Sequence, residues 1–305
     1  YFFESETGPV GKKLVEENLG KVFEPSDGAL VFRGEQQGLH TRVFITTDGL
    51  PTYEAKELGL AKLKDERWPH DLSVVVTGDE IKEYFKVVLA AMGQVLPAAA
   101  SKIKHVPHGI LRLTSGKMSS RTGEIISALS LIEEVRNRVT EQMGQDQDTL
   151  IAEQIAVAAI KHSILKQAPG RDVIFDPLKS ISLTGDSGPY LQYSAVRANS
   201  VLAKANKTPD PAELSEINEP VSPAGRLTRQ LIHFPEVIKR TRREFAPQLL
   251  LAYLTGLAAA FNSFYAREKI IGSADEVGRL AVVAATAQTL KNGLWLLGMA
   301  VPERM

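Results

Sequence analysis

The sequence has 305 residues, 44% of them hydrophobic and 24% charged, which is chain enough for two domains that each bury a core. Its 36 basic and 36 acidic side chains cancel, so any affinity for nucleic acid has to come from local patches. No cysteine occurs, which excludes a disulfide framework and a thiolate metal site and fits a reducing cytoplasm.

No apolar run reads as a membrane span, and no signal peptide is recognisable. The chain opens on Tyr1-Phe2-Phe3 rather than on Met, and reads as part of a longer protein with its upstream portion missing.

In chain order, Leu14, Val15 and Leu19 recur at helical spacing and predict a short amphipathic helix over 11–19. The turn cluster Glu24-Pro25-Ser26-Asp27-Gly28 follows. Ala29–Phe32 and Arg42–Ile45 read as strands that could pair antiparallel. Residues 52–63 read as a helix with Thr52 as its N-cap. Tyr53 and Glu57 lie four apart and so share a helix face. A phenol beside a carboxylate suits a guanidinium or ammonium group; a surface Glu and a half-buried Tyr is the plainer alternative.

Residues 71–78 form a β-branched run expected to be a parallel strand buried on both faces. It breaks at Gly78-Asp79, and a helix follows with Ile81, Tyr84, Phe85, Val88 and Leu89 on its apolar side. Strand, glycine turn and helix together place ligands at the carboxyl ends of a parallel sheet. A second strand, 104–109, leads into Ser115-Gly116-Lys117-Met118-Ser119-Ser120-Arg121-Thr122-Gly123. No acid occurs from Tyr84 to Gly123, whereas Lys86, Lys102, Lys104, Arg112, Lys117 and Arg121 do. That asymmetry marks either an anion-binding edge or a solvated basic loop. His105 and His108 have no cysteine or acid near them to make a metal site. A hydrogen bond from His105 to a nucleoside and a purely structural histidine both stay open.

Beyond residue 127 strand signals become scarce and helices dominate. They are expected over 151–166, from 188 onward, over 226–241, over 247–265 and over 275–297, as a bundle packed on apolar faces. Residues 207–223, rich in Pro, Glu and Ser, read as a loop or linker. Arg226, Arg229, Lys239, Arg240, Arg242 and Arg243 stand against only Glu236 and Glu244. With the aromatic run Phe261-Asn262-Ser263-Phe264-Tyr265 they suit single-stranded RNA. Phe261 and Phe264 are read as core; Tyr193 and Tyr265 are open between packing and stacking.

Together these features resemble the class I aminoacyl-tRNA synthetases, the arginyl family in particular. Lys117-Met118-Ser119-Ser120-Arg121 is similar to the Lys-Met-Ser-Lys-Ser loop, with Ser120 at the second lysine and Arg121 able to supply that charge. Pro51-Thr52-Tyr53 and its helix resemble the arginine-recognition helix, with Glu57 where the family has Asp. Glu80-Ile81 stands where it has Glu-Gln. Gly188–Tyr193 with Arg197, residues 261–265 and the ending 297–305 resemble the anticodon-binding bundle.

The resemblance implies a partial Rossmann-like α/β nucleotide-binding domain over residues 1–140 and an all-α tRNA-binding domain over 141–305. It implies arginine activation by ATP with Mg²⁺ and transfer of arginine to its tRNA, by a cytoplasmic monomer. Lys117 and Arg121 would be catalytic. His105, Gly109, Lys117, Met118, Ser119 and Ser120 would hold ATP, and Tyr53 and Glu57 would select arginine. Tyr193, Arg197, Tyr265 and Met305 would touch tRNA, and no protein-held metal is expected. The family's His-x-Gly-His signature is not in this sequence and is expected upstream, so the chain is expected to be inactive alone. A non-catalytic RNA-binding module is the alternative reading.

Overall fold

The computed structural model describes residues 1–114, 127–143, 148–206 and 225–305. The expected linker over 207–223 lies outside them. The chain divides into two compact units, Tyr1–Gly109 and Ile110–Met305.

The first unit opens with α1 (Glu4–Glu17), then β1 (Glu24–Ser26), β2 (Ala29–Phe32) and β3 (Arg42–Ile45). The three strands form an antiparallel sheet in that order, with Val31 opposite Val43. Phe23, Phe32 and Phe44 pack ring against ring on its inner face, at 4.8–6.4 Å between centroids, and are almost wholly buried. α1 starts seven residues before the predicted helix. Its early part buries Thr7, Gly8 and Gly11, which carry no hydrophobic period.

The reason is its partner, α2 (Tyr53–Arg67). A Cβ on Gly11 would lie 1.8 Å from the Ala55 carbonyl oxygen, and one on Gly59 would lie 2.0 Å from that of Thr7. The two backbones touch, and only glycine fits at either point.

Thr52 occupies the N-cap position of α2 but does not cap with its side chain. Its hydroxyl instead donates to the Val43 and Phe44 carbonyls, at 2.8 and 3.1 Å, and ties the helix start to β3.

β4 (Ser73–Gly78) pairs in parallel with β5 (Ile103–His108) through α3 (Lys82–Val95) and a short α4 (Pro97–Ala100). α3 buries Phe85, Val87, Val88, Ala91 and Met92. β4 departs from expectation: it is not buried on both faces, and Val76 is 62% exposed. Among the described residues β5 is its one strand partner.

In the second unit β6 (Leu111–Leu113) pairs in parallel with β7 (Val173–Phe175), a strand the sequence reading missed. α5 (Ala128–Met143) and α6 (Thr149–Leu165) pack Leu131, Val135, Val139, Ile151 and Ile155 around Phe175. α7 (Pro177–Ser180) is a single turn capped by Asp176. The Ser187 hydroxyl caps α8 (Gly188–Ala205), accepting from the Tyr190 N–H at 3.1 Å.

The predicted helix over 226–241 is broken into α9 (Gly225–Ile232) and α10 (Phe234–Glu244), with Pro235 in the first turn of the second. Proline lacks the N–H that would bond back across the break. α11 (Pro247–Arg267) and α12 (Glu276–Leu296) complete the bundle. By length and composition α11 could cross a membrane, which the sequence reading did not allow for. Its Leu250, Leu251, Leu254, Leu257, Ala258, Phe261 and Phe264 are buried in the bundle core. The final residues are strapped down. The Lys161 ammonium donates to the Gly298 carbonyl at 2.6 Å, and the buried Gln192 amide donates to Ala300 at 2.6 Å and Gln154 at 3.1 Å.

Candidate functional site

Two sets of functional side chains can be built from the residues upward, one in each unit. In the first unit α2 presents Tyr53 and Glu57 on one face, as the spacing predicts. Tyr53 is 65% exposed, with the Lys56 ammonium 4.9 Å from its ring centre. Glu57 is half-buried and lines a cavity of about 250 Å³ with Lys64, His70, Ser73, Val75 and Ile103, to which Tyr53 does not contribute. Burial pushes the Glu57 carboxyl above its ordinary value, and the positive charge of Lys64 opposes that only in part. The Lys64 ammonium is itself engaged by the Ser73 hydroxyl at 2.6 Å.

A quarter-turn round α2, Glu54 was not singled out by the sequence. It is buried, 8% exposed, with its carboxylate 4.0 Å from the Arg42 guanidinium on β3. That guanidinium stands over the Tyr84 ring of α3, 5.6 Å from its centre. Burial, and then the negative charges of Glu54 and Glu57, hold the Tyr84 phenol well above its usual range. The one available signal was that Glu54 shares a helix face with the core residue Leu58.

At the carboxyl ends of the parallel pair, Gly78 lies opposite His108, and Gly109 follows directly. The His105 ring stacks on Phe85 at 4.3 Å, and its Nε2 pairs with the Thr77 hydroxyl at 2.7 Å. Burial lowers its pKa, against the opposing charge of Asp79. Lys117, Met118, Ser119, Ser120 and Arg121 lie outside the described residues. Among the described residues no group of three His, Cys, Asp or Glu side chains could hold a metal ion.

In the second unit α8 and α11 bring Tyr193, Arg197 and Tyr265 together. The Arg197 guanidinium lies between the two rings, 4.5 Å from the centre of Tyr193 and 5.1 Å from that of Tyr265. It donates to Asn262 Oδ1 at 2.6 Å and to the Tyr193 hydroxyl at 2.8 Å. The Asn262 amide donates onward to Ser194 at 2.8 Å and Tyr190 at 3.1 Å. Arg197 therefore works as a strut that holds two phenol rings, and Tyr265 is 40% exposed. Met305 is elsewhere, half-buried against the cluster around Phe175. Of the basic surface, Lys239 pairs with Glu236 at 2.8 Å and Arg240 with Glu244 at 3.1 Å. Phe261 and Phe264 are core, as read.

Residues 9–177 match the family of class I (R) tRNA synthetase catalytic domains, and residues 191–305 match the DALR anticodon binding domain. The chain is 31% identical to the arginine–tRNA ligase of Flavobacterium psychrophilum over its whole length and 53% of that protein. It is 30% identical to that of Treponema denticola, over 54% of it. The chain thus spans about half the length of the curated relatives it matches. Among solved structures, arginyl-tRNA synthetase of Thermus thermophilus superposes with a TM-score of 0.84 at 25% identity, over 99% of this chain and 59% of that one. That of Plasmodium falciparum superposes at 0.86 and 19% identity, over 100% and 54%, a likeness of fold. With the catalytic-domain match running across more than half of its residues, the chain belongs to the class I tRNA synthetases of the arginyl type.

Proposed function

We propose that this chain serves ATP-dependent activation of arginine and transfer of the arginyl group to its tRNA. The observation that carries the reading is the half-buried, desolvated Glu57 on α2, with Tyr53 on the same helix face, inside the region that matches the catalytic family. A carboxylate pulled out of water is a strong partner for a planar guanidinium, which it can hold bidentately; an ammonium offers no such fork. In this reading residues 1–140 serve activation and residues 141–305 hold the tRNA.

Lys117, with Arg121, would neutralise the charge that develops on pyrophosphate as it leaves the adenylate. Met118, Ser119 and Ser120 would close over the nucleotide, with Mg²⁺ arriving as the counter-ion of ATP. His105 and Gly109 would line the adenosine side. Tyr193, Arg197, Tyr265 and Met305 would face tRNA, with Tyr265 offering a ring to an unpaired base. We place the protein in the cytoplasm, as a monomer.

Two measurements on the purified chain test this. Arginine binding by calorimetry is expected, and is expected to be lost in Glu57→Gln. Filter binding is expected to favour arginine-accepting tRNA over other tRNAs. Retained tRNA binding with no arginine binding would leave a non-catalytic RNA-binding module. The 305 residues hold no His-x-Gly-His sequence, so ATP–pyrophosphate exchange by this chain alone is not expected, and its appearance overturns that part.

A further inference from the structure

Between α9 and α11 of the second unit lies a cavity of about 330 Å³. One stripe of α11 forms its wall. Ala260, Ser263, Phe264 and Arg267 recur there at spacings of three and four, so they share a helix face. Arg226 and Leu227, in the first turn of α9, line the other side. Leu227 and Phe264 are buried, so both walls are anchored in the bundle core. The charge in this cavity is lopsided. Among the described residues neither the Arg226 nor the Arg267 guanidinium makes an ion pair or a hydrogen bond. The carboxylate in the lining, Glu268, is held by Arg279 at 3.1 Å, and Arg279 also donates to the Lys269 carbonyl at 2.7 Å. Glu268 is thus neutralised from its own side, and the two guanidiniums line one cavity without an acid of their own. Like charges in one cleft focus a positive field that an anion relieves.

We propose that this cavity binds the phosphate of a nucleotide unit, clamped by the Arg226 and Arg267 guanidiniums, with the Ser263 hydroxyl as a further donor. A guanidinium offers phosphate a planar fork of N–H groups. The volume falls within the about 300–1,000 Å³ of sites for small organic ligands, which is more than a bare oxyanion fills. The rest of the wall is apolar: Leu227, Phe264 and the small side chains of Ala259 and Ala260. Such a wall suits the sugar or base that carries the phosphate. Neither Tyr193, Arg197 nor Tyr265 lines this cavity, so it is a site apart from theirs. Two sources carry the required chemistry, a phosphodiester in the backbone of RNA and the phosphomonoester of a free nucleotide. The inference is independent of arginine activation, and it rests on the tRNA-binding part of the reading above only where RNA is the source.

Uridine, 5′-UMP and hexauridylate are titrated into the purified 305-residue chain by calorimetry. Uracil is chosen so that binding on the adenosine side of the catalytic half is not what is read. The wild type is expected to bind 5′-UMP and not uridine. Arg226→Gln and Arg267→Gln are each expected to weaken that binding about tenfold, which matches loss of one charge-assisted hydrogen bond. Both side chains are exposed, so the fold is expected to survive, and circular dichroism checks it. Lys291→Gln removes the same charge at an exposed position of α12 outside the cavity, and is expected to bind as the wild type does. Equal weakening in all three variants means diffuse attraction and overturns the site. If 5′-UMP does not bind but hexauridylate does, and only the two arginine variants weaken it, the site stands and an RNA backbone is its source. If neither arginine variant changes the binding of either probe, or if neither probe binds, the site is overturned. Filter binding of arginine-accepting tRNA keeps the two readings apart. A preference for that tRNA alongside unaltered arginine variants sinks the site alone. No such preference in the wild type sinks the tRNA reading, while 5′-UMP binding lost in the arginine variants still upholds the site.

Discussion

At the scale of single residues, two titratable groups shifted by burial give opposite pH behaviour. Glu57 has its carboxyl raised by burial above 4.5, so the folded chain binds its proton more readily than the unfolded one. Its charge costs stability as pH rises through that raised value, whereas a guanidinium can pair only with the ionised form. Arginine affinity is therefore expected to fall as pH drops through that raised value while the fold itself gains. Glu57→Gln is expected to lose about ten- to a hundredfold in arginine binding, in keeping with a hydrogen bond to a charged group, with no loss of melting temperature at pH 7.

His162 runs the other way. It is almost wholly buried on α6, with Nε2 3.1 Å from the Asp186 carboxylate but out of line for a hydrogen bond. Burial lowers its pKa below 6.5, against the opposing charge of Asp186, and Lys166, 4.0 Å from the same carboxylate, adds to the lowering. Below 6.5 the unfolded chain takes up a proton that the folded chain refuses, so stability is lost as pH falls from 6.5 toward the depressed value. Melts between pH 7.5 and 5.5 should show this decline, and His162→Gln should flatten it.

At the scale of elements, the crossing of α1 and α2 is the most exacting contact. Gly59→Ala would set a methyl 2.0 Å from the Thr7 carbonyl oxygen, and the backbone there cannot yield as a flexible side chain can. Overpacking of this kind is expected to cost roughly 1–3 kcal/mol, read as a lowered denaturant midpoint with an unchanged slope. Gly93→Ala is the control, because a Cβ there meets nothing within 4 Å.

The same crossing explains what the sequence could and could not tell. α11 and α12 were legible because leucines, valines and phenylalanines recur along them at helical spacing. The first half of α1 was not, because Thr7, Gly8 and Gly11 are small and carry no hydrophobic period, though packing buries them deeply. β4 was read correctly as a strand and wrongly as buried on both faces. A β-branched run reports strand propensity, while burial depends on which strands and helices flank it. Tyr53 and Glu57 were visible from spacing; Glu54, Arg42 and Tyr84 were not, since three elements distant in sequence bring them together.

For the whole molecule, neutrality overall with cations clustered on α9 and α10 means that RNA affinity has to be local and salt-dependent. Much of this surface is tempered by its own acids, since Arg240 and Arg243 both reach Glu244, at 3.1 and 3.3 Å. The double change Arg240→Glu and Arg243→Glu is expected to weaken tRNA binding and to flatten the plot of log affinity against log salt by up to about two units of slope. Equal weakening at every salt concentration would place the electrostatic contact elsewhere.

The strapped segment 298–302 of the second unit has a consequence for digestion of the purified 305-residue chain by a carboxypeptidase. An exopeptidase needs several residues of free, extended chain in its cleft. Here Met299 and Pro302 are buried, and the carbonyls of Gly298 and Ala300 are held by Lys161 and Gln192. Digestion of the folded protein should therefore stall after the outermost residues. The rate at which Met299 is finally released should follow opening of the bundle, not fraying of a tail, so that a carboxypeptidase becomes a clock for its unfolding.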